Sequence, residues 1–561
     1  MEQNFDLTRF KNLKSIKLLG NGSVNLPKFL ELLVIKRLDK NVIKKIFPAS
    51  TKSLVFKCKL SKSQDVDKID EQTQFVSLTT GCYFNKEILP NMLPPSLKSL
   101  TLGDFFNQEI LPNTLPSSLE SLTFGYDFNQ EILPNTLPSS LESLTFGYNF
   151  NQEILSGILP SSLKSLTFGS NFNRQILPGV LPSSLKSLTF GSNFNRQILP
   201  GVLPSSLRSL TFGDHFNQLI LPNSIPSLIH LKFGDRFNQP ILLDTLPHLK
   251  SLTFGSNFNR QILPGVLPPS LKTLELGAYF NQQIPPNLLP ASLKSLTFGS
   301  FFNKPIAPKT LPTSLKSLTF GSMFNQPILP NVLPTSLESL TFNWHFNQPI
   351  KPNTLPTSLK SLTFGWKFNR KISPNTLPSS LKSLTFGYYF DQPILPNTLP
   401  DSLTSLTFGF NFNQALPTLP PSLKALSFGR RFDQTVIFPS SLKLLVFEGK
   451  FNQQITPDLF PASLRSLTFG DHFNQKIQPN TLPSSLRALT FGHYFNQPIL
   501  PNALPSSLTS LTFGVNFNQQ IPPDALPTSL KLLVFGDLFS QQISNVPITI
   551  ESLTINQDYY L

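Results

Sequence analysis

Six histidines, His215, His230, His248, His345, His472 and His493, are the side chains of this sequence best suited to metal ligation or to proton transfer near neutral pH. They fall in separate segments, and only His472 and His493 are spaced so that they can approach one another. No third ligand or carboxylate accompanies that pair, as a metal or an acid–base site requires. Serine is abundant, but nearly every copy belongs to one recurring phrase, Pro-Ser-Ser-Leu-Lys-Ser, where hydroxyls bond neighbouring backbone rather than stand alone as nucleophiles. The two cysteines, Cys58 and Cys82, have no ligand-like spacing and make no disulfide framework, which fits a reducing compartment. Phosphate-cradling and dinucleotide-binding glycine motifs are absent, and so are C-x-x-C and H-E-x-x-H. These residues predict a chain that is not an enzyme and that carries no metal and no cofactor.

Two columns of like residues remain, and they suit recognition. The first follows a recurring leucine, with Lys or Arg at Lys98, Lys164, Lys186, Arg208, Lys250, Lys272, Lys294, Lys316, Lys360, Lys382, Lys424, Lys443, Arg465, Arg487 and Lys531. Glu120, Glu142, Glu338 and Glu551 interrupt it, so this column alone supplies +11 of a net charge of +15. The run Lys164, Lys186, Arg208, Lys250, Lys272, Lys294 and Lys316 is a candidate anion-binding edge for nucleic acid or acidic lipid. Copying a repeat also copies its lysine, and aromatic rings that would stack on bases do not alternate with these cations. The second column stands after a recurring glycine and is mostly small or polar, as at Ser170, Ser192, Asp214, Ser256, Ala278, Ser300 and Ser322. It then reads Trp344, Trp366, Tyr388, Phe410 and Arg430 in five successive copies, with Tyr126 and Tyr148 as a smaller pair nearer the N-terminus. Trp, Tyr and Arg dominate binding energy at protein interfaces, which makes this column a candidate partner-binding stripe; self-stacking between neighbours is the plainer alternative.

Both columns exist because one unit of 22 residues is written along the whole chain. Its phenylalanine falls at Phe84, Phe106, Phe128, Phe150, Phe172, Phe194 and Phe216, steps by 21 to Phe237 and Phe258, and returns every 22 residues from Phe280 to Phe412. Two shorter units end at Phe432 and Phe451 before the period resumes through Phe539. A fixed period of this size means a solenoid, in which each unit buries its apolar side chains only against its neighbours. With 53 Pro and 27 Gly among 561 residues, no helix of ordinary length survives, and strands and turns are expected instead. In Leu207-Arg208-Ser209-Leu210-Thr211-Phe212 the apolar residues alternate with hydroxyls, the pattern of a short half-buried strand. Gly213 is expected to permit a backbone turn, Phe216 to add a second inward ring and Asn217 to bond the turn backbone. Ile220 to Pro226 then returns as an extended, proline-rich stretch outside the sheet.

The phrase Phe-Asn-x-x-Ile followed by L-P-x-x-L-x-x-L-x-F resembles the FNIP repeat family, a relative of the leucine-rich repeats, over roughly residues 76–556. The resemblance implies a mostly-β, right-handed, leucine-rich-repeat-like solenoid with one long parallel sheet and a largely irregular back. It also implies protein–protein interaction, and it brings no catalytic residue to transfer. Residues 1–75 read as degenerate repeats and a cap with a charged insertion at 57–75, residues 76–540 as tandem repeats and 541–561 as a closing half-repeat. The segment from Leu26 to Lys45 has an F-box flavour, yet Leu26 to Ile35 lies in register with the repeat phrase. The N-terminus has no signal-peptide pattern and no apolar run long enough to span a membrane, so the cytoplasm or nucleus is expected. The expected role is a non-enzymatic scaffold for unknown protein partners, with an anionic-surface binder or a structural spacer as the alternatives.

Overall fold

The structure is a computed structural model. It describes residues 76–225, 227–542 and 547–555, together with the backbone of the short strands Phe5–Asp6, Ser15–Leu18, Val24–Asn25, Leu32–Ile35 and Ser53–Phe56. The expected insertion at 57–75 and Cys58 lie outside the described residues. The chain divides into two compact units, residues 1–280 and 281–561.

In the first unit each repeat contributes one strand of about three residues to a parallel ladder. Strand Ser165–Thr167 pairs with Ser187–Thr189 in a register that sets Leu166 against Leu188, one full repeat apart. The strand is short because only its central leucine points inward, between half-exposed Ser and Thr. On either side of it Leu185 and Phe190 turn in and are buried. The ladder reaches back through Ser77–Thr79 to the backbone strands Ser53–Phe56, Leu32–Ile35 and Ser15–Leu18, where Leu54 pairs with Leu78 and Leu33 with Leu54. Beyond the strand each repeat crosses the back without helix or sheet, through tight turns. Leu177, Pro178, Gly179 and Val180 make one of them, closed by Val180 N donating to the Leu177 carbonyl at 3.3 Å, with Gly179 at φ +82°. Proline at the second place and a left-handed third residue are the signature of a type II turn. Asparagine holds the same place with φ near +60° in many repeats, as at Asn113 and Asn135. Gly179→Asn is therefore expected to leave the melting curve unchanged, whereas Gly179→Ala, with no side chain suited to that region, is expected to lose about 1 kcal/mol in denaturant titration.

Two phenylalanine columns fill the interior. Within one repeat Phe190 and Phe194 lie 3.8 Å apart, and between repeats Phe168–Phe190 and Phe172–Phe194 stack at 5.7 and 6.1 Å. Polar ladders run beside them. Asn151 Oδ1 accepts the backbone N–H of Asn173 at 2.9 Å, so the recurring amide bonds turn backbone as expected and does so in the next repeat. Ser184 Oγ donates to the Leu163 carbonyl of the repeat before, at 2.6 Å. Gly213 has a role other than the one its type suggests. Its backbone is not left-handed; a Cβ placed on it would lie 1.8 Å from the carbonyl oxygen of Gly191. Glycine is needed there because successive repeats touch backbone to backbone.

The second unit repeats this plan from strand Ser295–Thr297 to strand Ser552–Ile555. Its two short repeats carry longer strands, Ala425–Phe428 and Leu444–Phe447, and extra rings stand at the back of the second of them and of the repeat that follows: Phe438 packs edge-on to Phe447, and Phe460 edge-on to Phe469. The chain is thus a mostly-β, leucine-rich-repeat-like solenoid in each unit, with no helix among the described residues.

Candidate functional site

The residue after the glycine leaves the strand end pointing to solvent, and its main chain is held in register by the repeat that follows. Lys367 N donates to the Trp344 carbonyl, Tyr389 N to Trp366, Asn411 N to Tyr388 and Arg431 N to Phe410, all at 2.8–2.9 Å. Side chains at this place must therefore stack. Trp344 lies 4.5 Å from Trp366, Trp366 lies 4.3 Å from Tyr388 and Tyr388 lies 4.5 Å from Phe410, with ring planes within 13° of parallel. Trp344 and Trp366 remain 45% and 37% exposed, while Tyr388 and Phe410 are half-buried. Because each ring covers its neighbour's face, the stripe shows solvent a ridge of ring edges. The free end of the stack is the face of Trp344 toward Ser322, whose small side chain occupies the same place one repeat earlier.

Arg430 departs from the pattern. It reaches past Gly449 to Asp471, with Nη2 3.4 Å from Oδ2, and the cation over the Phe410 ring is instead Arg431, its Cζ 6.0 Å from the centroid. In the first unit Tyr126 and Tyr148 stack at 4.5 Å as the smaller pair. A third stack is one the sequence reading passes over: Tyr83 and Phe105, 4.8 Å apart and exposed, stand one position later in the repeat. The same 22-residue offset relates them, so the adjacent column carries the signal that finds them.

The cationic column is sorted by its glutamates. Lys98 pairs with Glu120 at 2.7 Å, Lys164 with Glu142, and Lys531 with Glu551 at 2.8 Å; Glu338 takes both Lys316 at 2.8 Å and Lys360 at 2.7 Å. Among the candidate edge residues, Lys164 and Lys316 are thus neutralised, and Lys186, Arg208, Lys250, Lys272 and Lys294 have no carboxylate partner among the described residues. The longest run without a carboxylate partner among the described residues lies later, at Lys424, Lys443, Arg465 and Arg487, each just before one of four successive strands of the second unit. Hydrogen bonds from Lys316 and Lys360, with the charges of both ammonium groups, lower the Glu338 carboxyl to about 2. Its contribution to stability is complete above the ordinary carboxyl range near 4.5 and is lost as the pH falls through about 2. A carboxyl-detected NMR titration is expected to place its midpoint near 2, and Lys316→Met with Lys360→Met to return it to the ordinary range. Elsewhere, no three His, Cys, Asp or Glu side chains gather as metal ligands among the described residues, and no helix there is long and apolar enough to cross a membrane.

Stacked strands joined by irregular, turn-rich returns, with a Phe-Asn pair in most repeats, coincide with a known repeat. The model of the FNIP Repeat matches at seventeen places, from residues 77–105 through 517–558. The chain belongs to the FNIP repeat family. Among solved structures, this FNIP protein is similar to CroV588, described as a novel circular LRR protein. The two share 45% identity with a TM-score of 0.80, over 96% of this chain and 82% of that one. The TLR13 chain of a TLR13–ssRNA13 complex is similar in fold, at 16% identity and a TM-score of 0.60, over 99% of this chain and 83% of that one. No curated protein matches the FNIP chain in sequence.

Proposed function

We propose that this FNIP chain is a non-enzymatic protein-binding scaffold and that the ridge Trp344, Trp366, Tyr388 and Phe410 is its principal contact. Leucine-rich-repeat-like solenoids commonly bind proteins, and one observation supports placing the contact here. At a position that is Ser, Asp or Ala in most other repeats, four large rings stand on successive repeats with both tryptophans exposed. Burying such anchors is what dominates interface energies. Lys367 and Arg431 flank the ridge, which suits a partner whose apolar groove is rimmed by carboxylates. The test is capture of cell proteins on the immobilised chain. Trp344→Ala with Trp366→Ala is expected to release a salt-resistant partner, each truncation weakening binding by about 2 kcal/mol or more. Undiminished capture by the double variant would remove the ridge from consideration.

The run Lys424, Lys443, Arg465 and Arg487 supports a second reading, the binding of nucleic acid or acidic lipid. Four cations one strand apart predict affinity that falls steeply with salt. RNA or anionic vesicles retained at low salt, released at high salt and indifferent to the tryptophan substitutions would favour it over the scaffold.

A further inference from the structure

The first unit carries a long polar groove that neither candidate surface includes. It has a volume of about 1070 Å³ and is lined by side chains from Asn85 to His215, on six successive repeats and the one that follows. One wall is the asparagine of each Phe-Asn pair: Asn107, Asn129, Asn151, Asn173 and Asn195. The Oδ1 of each accepts a backbone N–H from the next repeat at 2.8–3.0 Å. Since a backbone N–H can only donate, the atom it meets must be the amide oxygen, and this fixes which way every amide is turned. Their Nδ2 groups then form a row of donors that no described residue uses. The facing wall is a second chain of amides. Asn149 Nδ2 donates to Asp127 Oδ1 at 3.0 Å, Asn171 to Asn149 at 3.0 Å and Asn193 to Asn171 at 2.9 Å. Each of these three amides keeps one N–H in hand, and its orientation is already set by the chain, so a ligand finds it pre-ordered.

We propose that this groove binds a linear, uncharged polysaccharide, one sugar residue to a repeat. A sugar hydroxyl both donates and accepts, which matches walls that offer N–H groups and amide oxygens together. The charged or titratable residues of its lining are Asp127 and His215; Arg174 and Arg196 stand beside it, tied through Nε to the Asn151 and Asn173 carbonyls at 2.9 and 3.0 Å, so the walls a ligand meets are built of amides and suit an uncharged chain. Successive strands are about 4.8 Å apart, close to the advance of a β-1,4-linked pyranose, so a chain laid along the stack meets equivalent amides at every residue. Phe105 lines the N-terminal end; Tyr83 covers one face of its ring, and the other face is turned toward the Asp127 repeat, where the C–H face of a pyranose can rest on it.

The test is calorimetric titration of the full chain with the hexaoses of β-1,4-linked glucose, N-acetylglucosamine and xylose, and with their dimers. Binding by at least one hexaose series that strengthens from dimer to hexaose and does not change with salt is expected. Asn149→Met with Asn171→Met removes two of the three facing amides and introduces a residue that the chain itself places there at Met323; affinity is expected to fall at least about tenfold with the melting curve unchanged. Phe105→Asn, which copies the residue at that place in the Asn149 repeat, is expected to do the same and decides the matter if the double variant melts early. No hexaose binding at millimolar concentration, or binding untouched by these substitutions, overturns the proposal. So does retention by the groove of single-stranded RNA in place of sugars.

Discussion

Phe258→Ala is expected to cost about 3–5 kcal/mol, the usual range for emptying a buried phenylalanine site. The ring has no solvent exposure, lies 3.8 Å from Phe254 in its own repeat and stacks at 6.1 Å on both Phe237 and Phe280. Its loss leaves a void walled by three other rings, and the backbone around that void cannot collapse into it. Each repeat is held to its neighbours by strand bonds and by the asparagine ladder, Asn259 N to Asn238 Oδ1 at 3.1 Å among them. In a solenoid the stability is the sum of repeat and nearest-neighbour terms, so weakening two interfaces in mid-chain should also split the unfolding transition. Leu263→Ala in the next turn, at a side chain 55% exposed, is the control and is expected to stay within about 0.5 kcal/mol. A Phe258→Ala cost well under 1 kcal/mol, measured by denaturant titration, would mean that the ring column is not what the core rests on.

That column is legible in the amino-acid sequence alone, and for a physical reason. Repetition samples one environment many times, so a position that stays Phe, Leu or Asn through successive repeats must face the same surroundings in each. The strand at L-x-x-L-x-F, the two inward rings and the cross-repeat asparagine all follow from that argument. What the repeat hides is the reason for a residue type. By its type Gly213 should serve a turn that needs backbone freedom, yet glycine is required there because a Cβ would lie 1.8 Å from the Gly191 oxygen; the bond expected from Asn217 to turn backbone is made, to Asn238 N of the following repeat at 2.9 Å. The aromatic stripe is legible as a column, but its last member is not. The short repeat ending at Phe451 puts Gly449 beside Arg430, and the side chain crosses that gap to Asp471 while Arg431 takes the Phe410 ring. The groove lies beyond the sequence for a different reason. Each asparagine column is visible by itself, but that two columns face one another across a cleft depends on how the turn after the glycine folds.

The glycine column carries the sharpest consequence of that turn. Gly191 is expected to tolerate alanine worse than any surface position of the first unit, with a loss beyond about 4 kcal/mol, the range reserved for forced overlap in a packed structure. A Cβ on Gly191 would stand 1.9 Å from the Gly169 oxygen and 2.7 Å from the Ser170 Cα. Both are backbone atoms, so no rotamer change relieves the contact, and the repeats must separate. Separation stretches the stacking of Phe168 on Phe190 and Phe172 on Phe194, and it loosens the bond from Asn193 N to the Ser170 carbonyl, now 2.8 Å. The chain contains its own comparison. At the corresponding place in the second unit stands Asn343, whose Nδ2 donates to the Phe320 carbonyl at 2.8 Å, so the side chain that intrudes also supplies a bond across the repeats. Gly191→Asn is therefore expected to cost less than Gly191→Ala although it is larger, an order that neither size nor backbone freedom predicts. Thermal or denaturant unfolding of the two variants decides it: alanine milder than asparagine, or both within about 1 kcal/mol of the parent chain, would show that close approach is not what keeps this column glycine.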